Sequence, residues 1–369
     1  MKTVSIGFHK LLPFQMPTKI LARTAPTARA TIADVARQAG VSKATVSRFL
    51  NHRDKLLSNG IATRVEAAIL ALSYSPNPMA QALKRGRSRL IGLVVADVTN
   101  PFSVAVLRGA EKACQQAGYL LMLFNLGNDS RREREAIETL SAYQVEGFIL
   151  NTLGQDGGAA VDVALHGKPV VLVDRRHHDM RADFVSLDNA GAVRLGARHL
   201  VEAGYHELLF VSEPVKDVSP REERRAAFCS YINESANAIT NLHGSTFESS
   251  ADDAEAGLSS ALQRLRQSAG ERLPGVLSSN AVVTLRVVAA MTRLGWRLGT
   301  DVGLVGFDDT EWSPYVGPGL STIAQPTDDL GRIAADCLIE RLKGLELPPR
   351  EILLSGRLIS RGSSVPSPA

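Results

Sequence analysis

The 369-residue sequence predicts an α/β protein in two parts: a small all-α helix-turn-helix head and a body of two doubly wound α/β subdomains. Three observations predict it. Residues 31–74 repeat a helix signal three times. From Leu90 onward, apolar runs of strand length alternate with helical patterns. The charge also changes sign between the parts. Residues 1–89 hold 15 Lys and Arg against three Asp and Glu, a net of +12; the remainder holds 27 against 35, a net of −8. A basic head on an acidic body points to a polyanionic partner for the head alone. A merely solvated basic tail would not be patterned as residues 31–85 are.

The bulk composition narrows the class. With 44% hydrophobic and 22% charged residues, a large core is expected. Cys114, Cys229 and Cys337 are odd in number, far apart and without metal-ligand spacing. That predicts free thiols in a reducing cytosol, with no disulfide frame and no metal site. No run of 18 apolar residues occurs, so no transmembrane helix is expected. Residues 1–30 lack a long apolar core, and Pro13 and Pro17 interrupt them. They read as a flexible leader rather than a secretory signal, with Met16 a second candidate start.

The head builds in order over residues 31–74. Thr31 followed by Asp34 has the form of an N-cap with an acidic first turn. Ile32, Val35, Ala36 and Ala39 then fall on one helical face. Gly40 suits the left-handed position that ends a helix. Ser42 caps again, and Lys43–Leu50 forms a second helix with Val46, Phe49 and Leu50 inward. A third helix follows Ser58, with Ile61, Val65, Ile69 and Leu72 on one face. Two short helices around a tight glycine turn make a helix-turn-helix. Its second helix presents Lys43, Ala44, Thr45, Ser47 and Arg48 to base edges in a major groove. Ser42, Thr45, Ser47, Asn51 and His52 suit phosphates, which position without specifying.

Residues 75–89 form a hinge. Pro76 and Pro78 end the third helix, Asn77 is a candidate cap, and Met79–Arg85 has room for one short helix. Seven residues are too few for a stable helix in water, so this segment is expected to order on binding. Lys84, Arg85, Arg87 and Arg89 can hold phosphates.

In the body, the candidate strands are "LIGLVVAD", "YLLMLFNL", "VEGFILNTL", "PVVLVD", "FVSLD", "ELLFVSE", "GVLSSN", "VGLVGFDD" and "STIAQP". Helices fit between them, as over 103–117, 131–143, 190–203 and 282–294. Continuous apolar strands alternating with helices mean parallel sheets covered on both faces. So many strands exceed one comfortable sheet, which predicts two. In open α/β sheets, ligands bind beyond the carboxyl ends of the strands. Polar residues cluster there: Asp97, Asn100, Asn125, Asn151, Asp174, Arg175, Asp188, Asn189, Asn280, Asp308 and Asp309. That spread of carboxylates and amides suits a polyhydroxylated ligand.

The quoted residues carry a resemblance. "TIADVARQAGVSKATVSRFLN" resembles the head of the lactose-repressor (LacI-type) family of bacterial transcription regulators. "YSPNPMAQALKRGRSRLIGLV" resembles its hinge, and the likeness continues to about residue 361. The family implies a ligand-responsive, sequence-specific DNA-binding regulator rather than an enzyme. It implies a body similar to periplasmic sugar-binding proteins, with a cleft between an N-subdomain (90–187 and 325–352) and a C-subdomain (188–324 and 353–365). In its members hinge helices enter the minor groove and a leucine wedges between base pairs; Leu83 matches it, with Asn77, Ala80 and Lys84 beside it. Gln81 stands where many members carry Arg. Thr31 belongs to the DNA-contacting set by the same likeness.

Motif by motif, the resemblance assigns a ligand site. "VADVTNPF" supplies Asp97, Asn100 and Phe102, and "LVDRR" supplies Asp174 and Arg175. In "SPREERRAAF", Arg224 lies four before Phe228 like the family's effector-gripping arginine, with Ala227 in place of the usual glycine. Asn280, Asp308 and Gln325 complete the set with Asn125 and Asn151. Plainer roles stay open: Asp97, Asp174 and Asp308 as helix caps, Arg175, Arg176 and Arg221 as surface charges, Arg224 as a structural ion-pair partner, Trp312 in a core. His177 and His178 read as exposed and hold no metal.

Several arginines favour an anion, because guanidinium grips carboxylate bidentately. A sugar acid is therefore expected: gluconate, 2-ketogluconate or 2-keto-3-deoxygluconate. "VSRFL" and "LKRGRSRLIG" are also similar to the gluconate and keto-gluconate branch of the family. Neutral sugars and purines are the alternatives. The family further implies a homodimer on a palindromic operator, with residues 102–117 in the interface, and repression relieved by the ligand or, alternatively, co-repression. No heptad segment follows Arg361 to form a tetramerisation coil. A periplasmic solute-binding protein would need a signal sequence and no head. No G-x-x-x-x-G-K-[ST], H-E-x-x-H or G-x-S-x-G occurs to support an enzyme, and no catalytic residue or cofactor is expected.

Overall fold

Side-chain caps set the starts of the first two helices. The computed structural model describes residues 30–51, 57–76, 87–153, 157–177, 180–236, 238–250 and 256–366, in two units that divide near residue 81. In the first unit, α1 (Ile32–Ala39) opens with a reciprocal capping box. The Thr31 hydroxyl accepts from the Asp34 amide at 3.4 Å, and the Asp34 carboxylate accepts from the Thr31 amide at 2.9 Å. Gly40, at φ 63°, ends the helix in the left-handed region that other residues adopt only under strain. Ser42 then caps α2 (Lys43–Leu50) by accepting from the Thr45 amide at 3.2 Å. α3 (Asn59–Ala71) follows Ser58, whose side chain makes no cap bond. Val35, Ala36, Ala39, Val46, Val65 and Ala68 are buried together, with Ile32, Phe49, Leu50, Ile61, Ile69 and Leu72 packed around them.

The second unit holds two α/β lobes. The first lobe begins β1 (Leu90–Val95), α4 (Pro101–Gln116), β2 (Leu120–Asn125), α5 (Arg132–Ala142), β3 (Gly147–Asn151), α6 (Gly157–Leu165), β4 (Val170–Val173) and β5 (Asp183–Leu187). The second runs α7 (Asn189–Glu202), β6 (Glu207–Ser212), α8 (Ser219–Ser235), β7 (His243–Glu248), α9 (Ala256–Ala269), β8 (Pro274–Ser278), α10 (Ala281–Arg293), β9 (Gly303–Phe307) and β10 (Ser321–Ala324). The chain then returns to the first lobe for α11 (Thr327–Leu342) and β11 (Glu351–Leu354), and to the second for β12 (Arg357–Ile359). The sheets have matching orders, β11-β5-β4-β3-β1-β2 and β12-β10-β9-β8-β6-β7. Among the described residues, every pairing within the sheets is parallel except β10 with β12.

The nine expected strands are present, and the described residues add three that are not continuous apolar runs. β7 is an edge strand with one paired neighbour, and its side chains are mostly exposed, so it carries "HGSTFE". β11 and β12 are short edge strands whose residues are exposed or half-buried, none fully buried. A lobe boundary at 352/353 would cut β11. Leu353 and Leu354 instead continue the parallel ladder opposite Ser186 and Leu187, so the first sheet runs to Leu354. α11 lies against α4 at a glycine crossing. A Cβ on Gly109 would stand 2.0 Å from the Asp328 carbonyl oxygen, and one on Gly331 2.0 Å from that of Val106.

Each lobe is closed differently at the strand next to its edge. In the first, the carboxylate of Asp183 at the start of β5 accepts from Arg341 of α11 at 2.8 and 3.0 Å and from Arg350 at 2.9 Å. In the second, the corresponding residue is Ser321. Its amide donates to Ser363 Oγ at 2.8 Å, and its hydroxyl meets Ser364 Oγ at 2.6 Å and the Arg361 backbone.

Candidate functional site

All three crossings between lobes leave from carboxyl ends of strands, so polar strand ends of both sheets meet at one cleft. It holds a cavity of about 220 Å³, below the roughly 300–1,000 Å³ of pockets for drug-sized ligands. Ten of the eleven residues expected to bind a ligand line it: Asp97, Asn100, Phe102, Asn151, Asp174 and Arg175 from the first lobe, and Arg224, Asn280, Asp308 and Gln325 from the second lobe and its exit. Asn125 does not. Its carboxamide oxygen accepts from the amides of Val98 and Gly127 at 3.1 and 3.3 Å, holding the loop that carries Asp97.

Several of these side chains fix backbone as they face the cavity. Asn100 caps α4, ahead of Pro101. Asn280 caps α10 through its oxygen, and its amide donates to Glu213 at 2.8 Å. Asn151 donates to the Val173 carbonyl at 3.0 Å. Asp97 accepts from the Thr99 amide and from Asn128 Nδ2, at 2.8 and 2.7 Å.

Asp174 and Asp308 follow corresponding strands, β4 and β9, and both hold positive φ, 65° and 69°. Left-handed backbone is costly for a residue with a Cβ, and aspartate is among those that tolerate it. Asp308 is buried. It accepts from the Ala281 amide at 3.1 Å and from Gln325 Nε2 at 2.7 Å. Burial pushes its pKa up, and Arg224 opposes that only in part.

Arg224 is almost wholly buried, with its guanidinium 4.5 Å from the centroid of the Phe307 ring. It donates to Asn189 Oδ1 at 2.7 Å, the Ser279 carbonyl at 2.6 Å and Gln325 Oε1 at 3.4 Å. Asp174 stands 4.0 Å from it and 3.8 Å from Arg175. Arg175 reaches the Thr152 carbonyl at 3.4 Å, while its buried Nε has no hydrogen-bond partner. Burial lowers the pKa of both guanidiniums. The cleft thus holds cations that are costly to bury and not fully compensated.

The structure decides several open readings. Arg221 lines the cavity, salt-bridged to Glu213 at 2.7 Å, and is not a surface charge. Arg176 lies outside it, over the Phe184 ring and paired with Glu351 at the sheet edge. Trp312 packs on the core of the second lobe, not on the cavity. His177 is buried rather than exposed, with Nε2 2.8 Å from Thr152 Oγ1 and 3.6 Å from Glu133; His178 lies outside the described residues. Sequence reading missed Asn128, Glu213 and Arg286, which also line the cavity. Glu213 follows β6 as Asp97 follows β1, a signal available in "ELLFVSE". Arg286 is a lone charge in the apolar helix "AVVTLRVVAAM".

In the head, Lys43, Ala44 and Arg48 are exposed on α2, with Thr45 and Ser47 half-buried beside them. Thr31, Ser42 and Asn51 spend polar groups on helix ends; Asn51 Nδ2 donates to the Ser47 carbonyl at 2.6 Å. His52 and the hinge set Asn77, Ala80, Leu83 and Lys84, with the expected helix over 79–85, lie outside the described residues. No described helix is long and apolar enough to cross a membrane.

Comparison with known proteins agrees with both halves of this picture. Residues 31–77 match the model of bacterial regulatory proteins, lacI family, and residues 197–364 match a periplasmic binding protein-like domain. The HTH-type transcriptional regulator PtxS of Pseudomonas plecoglossicida is 44% identical over 91% of this chain and 96% of its own length. The HTH-type transcriptional regulator KdgR of Bacillus subtilis is 38% identical over 91% and 98%. The crystal structure of the lac repressor dimer bound to operator and the anti-inducer ONPF matches with a TM-score of 0.77 at 27% identity, over 92% of this chain and 100% of that one.

Proposed function

Because this chain belongs to the lacI family of bacterial regulatory proteins, and is a DNA-binding transcriptional regulator rather than an enzyme, we propose that it represses genes of sugar-acid catabolism and releases its operator when a sugar acid fills the cleft. Two copies on a two-fold axis read a palindromic operator in the cytoplasm, each inserting α2 into a major groove. Lys43 and Arg48 donate to base edges, Ala44 and Thr45 touch thymine methyls, and the hinge around Leu83 enters the minor groove between them. Operator and ligand bias one arrangement of the lobes, so each changes the other's affinity by the same factor.

The observation that carries the ligand class is the cavity wall. Among the described residues, four arginines line it beside carboxylates and carboxamides, and burial makes two of them, Arg175 and Arg224, weaker bases than usual. A carboxylate on a polyhydroxylated chain satisfies both features. The test is fluorescence anisotropy on DNA from upstream of the protein's own locus, at fixed salt with excess random competitor. Specific binding abolished by gluconate, 2-ketogluconate or 2-keto-3-deoxygluconate is expected. Binding strengthened by them would make the ligand a co-repressor, and release by neutral sugars alone would reject the acid. Arg48→Ala should weaken operator binding more than random-DNA binding; an unchanged ratio would remove Arg48 from base readout.

A further inference from the structure

Two cations meet the cavity from opposite lobes, one with a nitrogen left unpartnered and the other held in place at the wall. Arg175 follows β4 in the first lobe. Its side chain is 11% exposed, its Nε is buried without a hydrogen-bond partner, and its closest carboxylate, Asp174, is shared with Arg224. Arg221 sits in the first turn of α8 in the second lobe. One oxygen of Glu213 takes both Arg221 Nη2 at 2.7 Å and Asn280 Nδ2 at 2.8 Å, which fixes these two donors relative to each other at the wall. The Pro214 carbonyl holds the other terminal nitrogen of Arg221 at 2.9 Å. The side chain is thus built into place and not trailing in solvent.

Both guanidiniums line the one cavity. Burial is the main reason that Arg175 is a weaker base than usual, Asp174 works against that, and the charge of Arg221 adds to it while that of its partner Glu213 opposes it. A group of negative charge placed between the walls would serve a cation on each. A hydroxyl cannot do this, because it brings no charge. A carboxylate can accept from one guanidinium on each wall in two charge-assisted hydrogen bonds.

We propose that Arg175 and Arg221 together seat the carboxylate of the ligand, so that the group that marks the ligand as an acid is also the clamp that draws the two lobes together. Glu213 is a positioning residue: it presents Arg221 and Asn280 as one unit. Arg224, which already donates to Asn189, Ser279 and Gln325, serves the hydroxylated part of the cavity instead. The proposal rests on the sugar-acid reading above and adds where the acid group sits.

The test is calorimetric titration of the full chain with gluconate, 2-ketogluconate and 2-keto-3-deoxygluconate. D-fructose, which has the skeleton of 2-ketogluconate with a hydroxymethyl group in place of the carboxylate, is the neutral comparator. Arg221→Gln and Arg175→Gln should each weaken the acid that the wild type binds best by about tenfold to a hundredfold, the usual weight of a charge-assisted bond. Binding of D-fructose should be unchanged or improved. Arg221→Lys, which keeps the charge, should recover part of the loss, and Arg221, the less buried of the pair, guards against a folding defect at Arg175. Acid affinity undiminished in both glutamine variants, or an equal loss for D-fructose, would overturn the seat alone. Failure of all three acids to bind the wild type would overturn the sugar-acid reading and the seat with it.

Discussion

The two lobes of the body share a strand order but solve the same corners with different chemistry. Where the first lobe begins β5 with Asp183 between two arginines, the second begins β10 with Ser321 among hydroxyls and backbone. Where the first ends β4 on Asp174 beside two guanidiniums, the second ends β9 on Asp308 beside an amide and a carboxamide. The strands correspond at each pair, and both cleft aspartates hold positive φ. What the fold repeats is a set of positions; what differs is the charge placed there. At these two corners the first lobe sets arginines against its carboxylates, and the second sets neutral donors around a carboxyl that burial disfavours in its charged form.

The largest test of that contrast is at the β5 and β10 starts. Asp183 is 1% exposed at its side chain, and removing its charge leaves Arg341 to the carbonyls of Leu345, Leu347 and Pro348 and Arg350 to Glu340. Breaking such a buried pair costs about 3–5 kcal/mol, so Asp183→Asn should lose about that much in urea unfolding at neutral pH. Burial alone would raise the Asp183 pKa, but the bonds from Arg341 and Arg350 outweigh it and hold the carboxyl below its ordinary 3.8. A lowered folded pKa stabilises above the unfolded value, and that stability is lost as pH falls through the folded one. The gap between wild type and variant should therefore narrow below about pH 4. Ser321→Ala should cost only about 1–3 kcal/mol, with no acid limb of its own. Equal losses at the two positions would break the comparison.

The contrast itself was not legible in the sequence, but much of the fold was, and the illegible part has a common cause. The head could be read almost residue by residue, because Thr31, Gly40 and Ser42 act on backbone within four residues of themselves. The interior strands announced themselves because burial on both faces demands continuous apolar runs. β7 did not, since an exposed edge strand has no such demand. At the cleft, strand-end polar residues were found by position, whereas Glu213, Asn128 and Arg286 were missed. Their roles depend on partners 31 and 67 residues away in two cases, and on a lone arginine's place on a helix in the third. His177 misled for a similar reason. "RRHHD" looks like a solvated cluster, and only tertiary packing brings Thr152 and Glu133 to it.

An intermediate effect is expected at the first-lobe corner of the cleft. Asp174→Asn leaves Arg175 and Arg224 buried without the carboxylate between them, and should cost about 2–3 kcal/mol at pH 7 in chemical unfolding. An added sugar acid should restore part of that loss in the variant, because it returns a carboxylate to Arg175 and stabilises by mass action. A variant that stays as stable as wild type would mean that the two arginines never depended on Asp174. The cleft's appetite for an anion would then need another source.

The smallest effect, and the one that separates the corners by sign, belongs to Asp308. Its pKa is raised by burial, with Arg224 and the bonds from Gln325 and Ala281 opposing. A raised folded pKa means that the stability contributed by the protonated form is complete below the unfolded value of 3.8 and is lost as pH rises through the folded one. The carboxamide introduced by Asp308→Asn is neutral throughout. At acid pH the wild type and the variant should be alike, because a protonated carboxyl and a carboxamide each set one donor against the donors of Gln325 and Ala281. As pH rises toward 7, the wild type alone must bury a charge, so the variant should gain on it by a few degrees in Tm. Thermal melts of both proteins from pH 4 to pH 7 measure this directly. A variant that instead falls behind as pH rises would show Arg224 outweighing burial at Asp308. The second lobe would then hold its cleft aspartate as the first does, by charge.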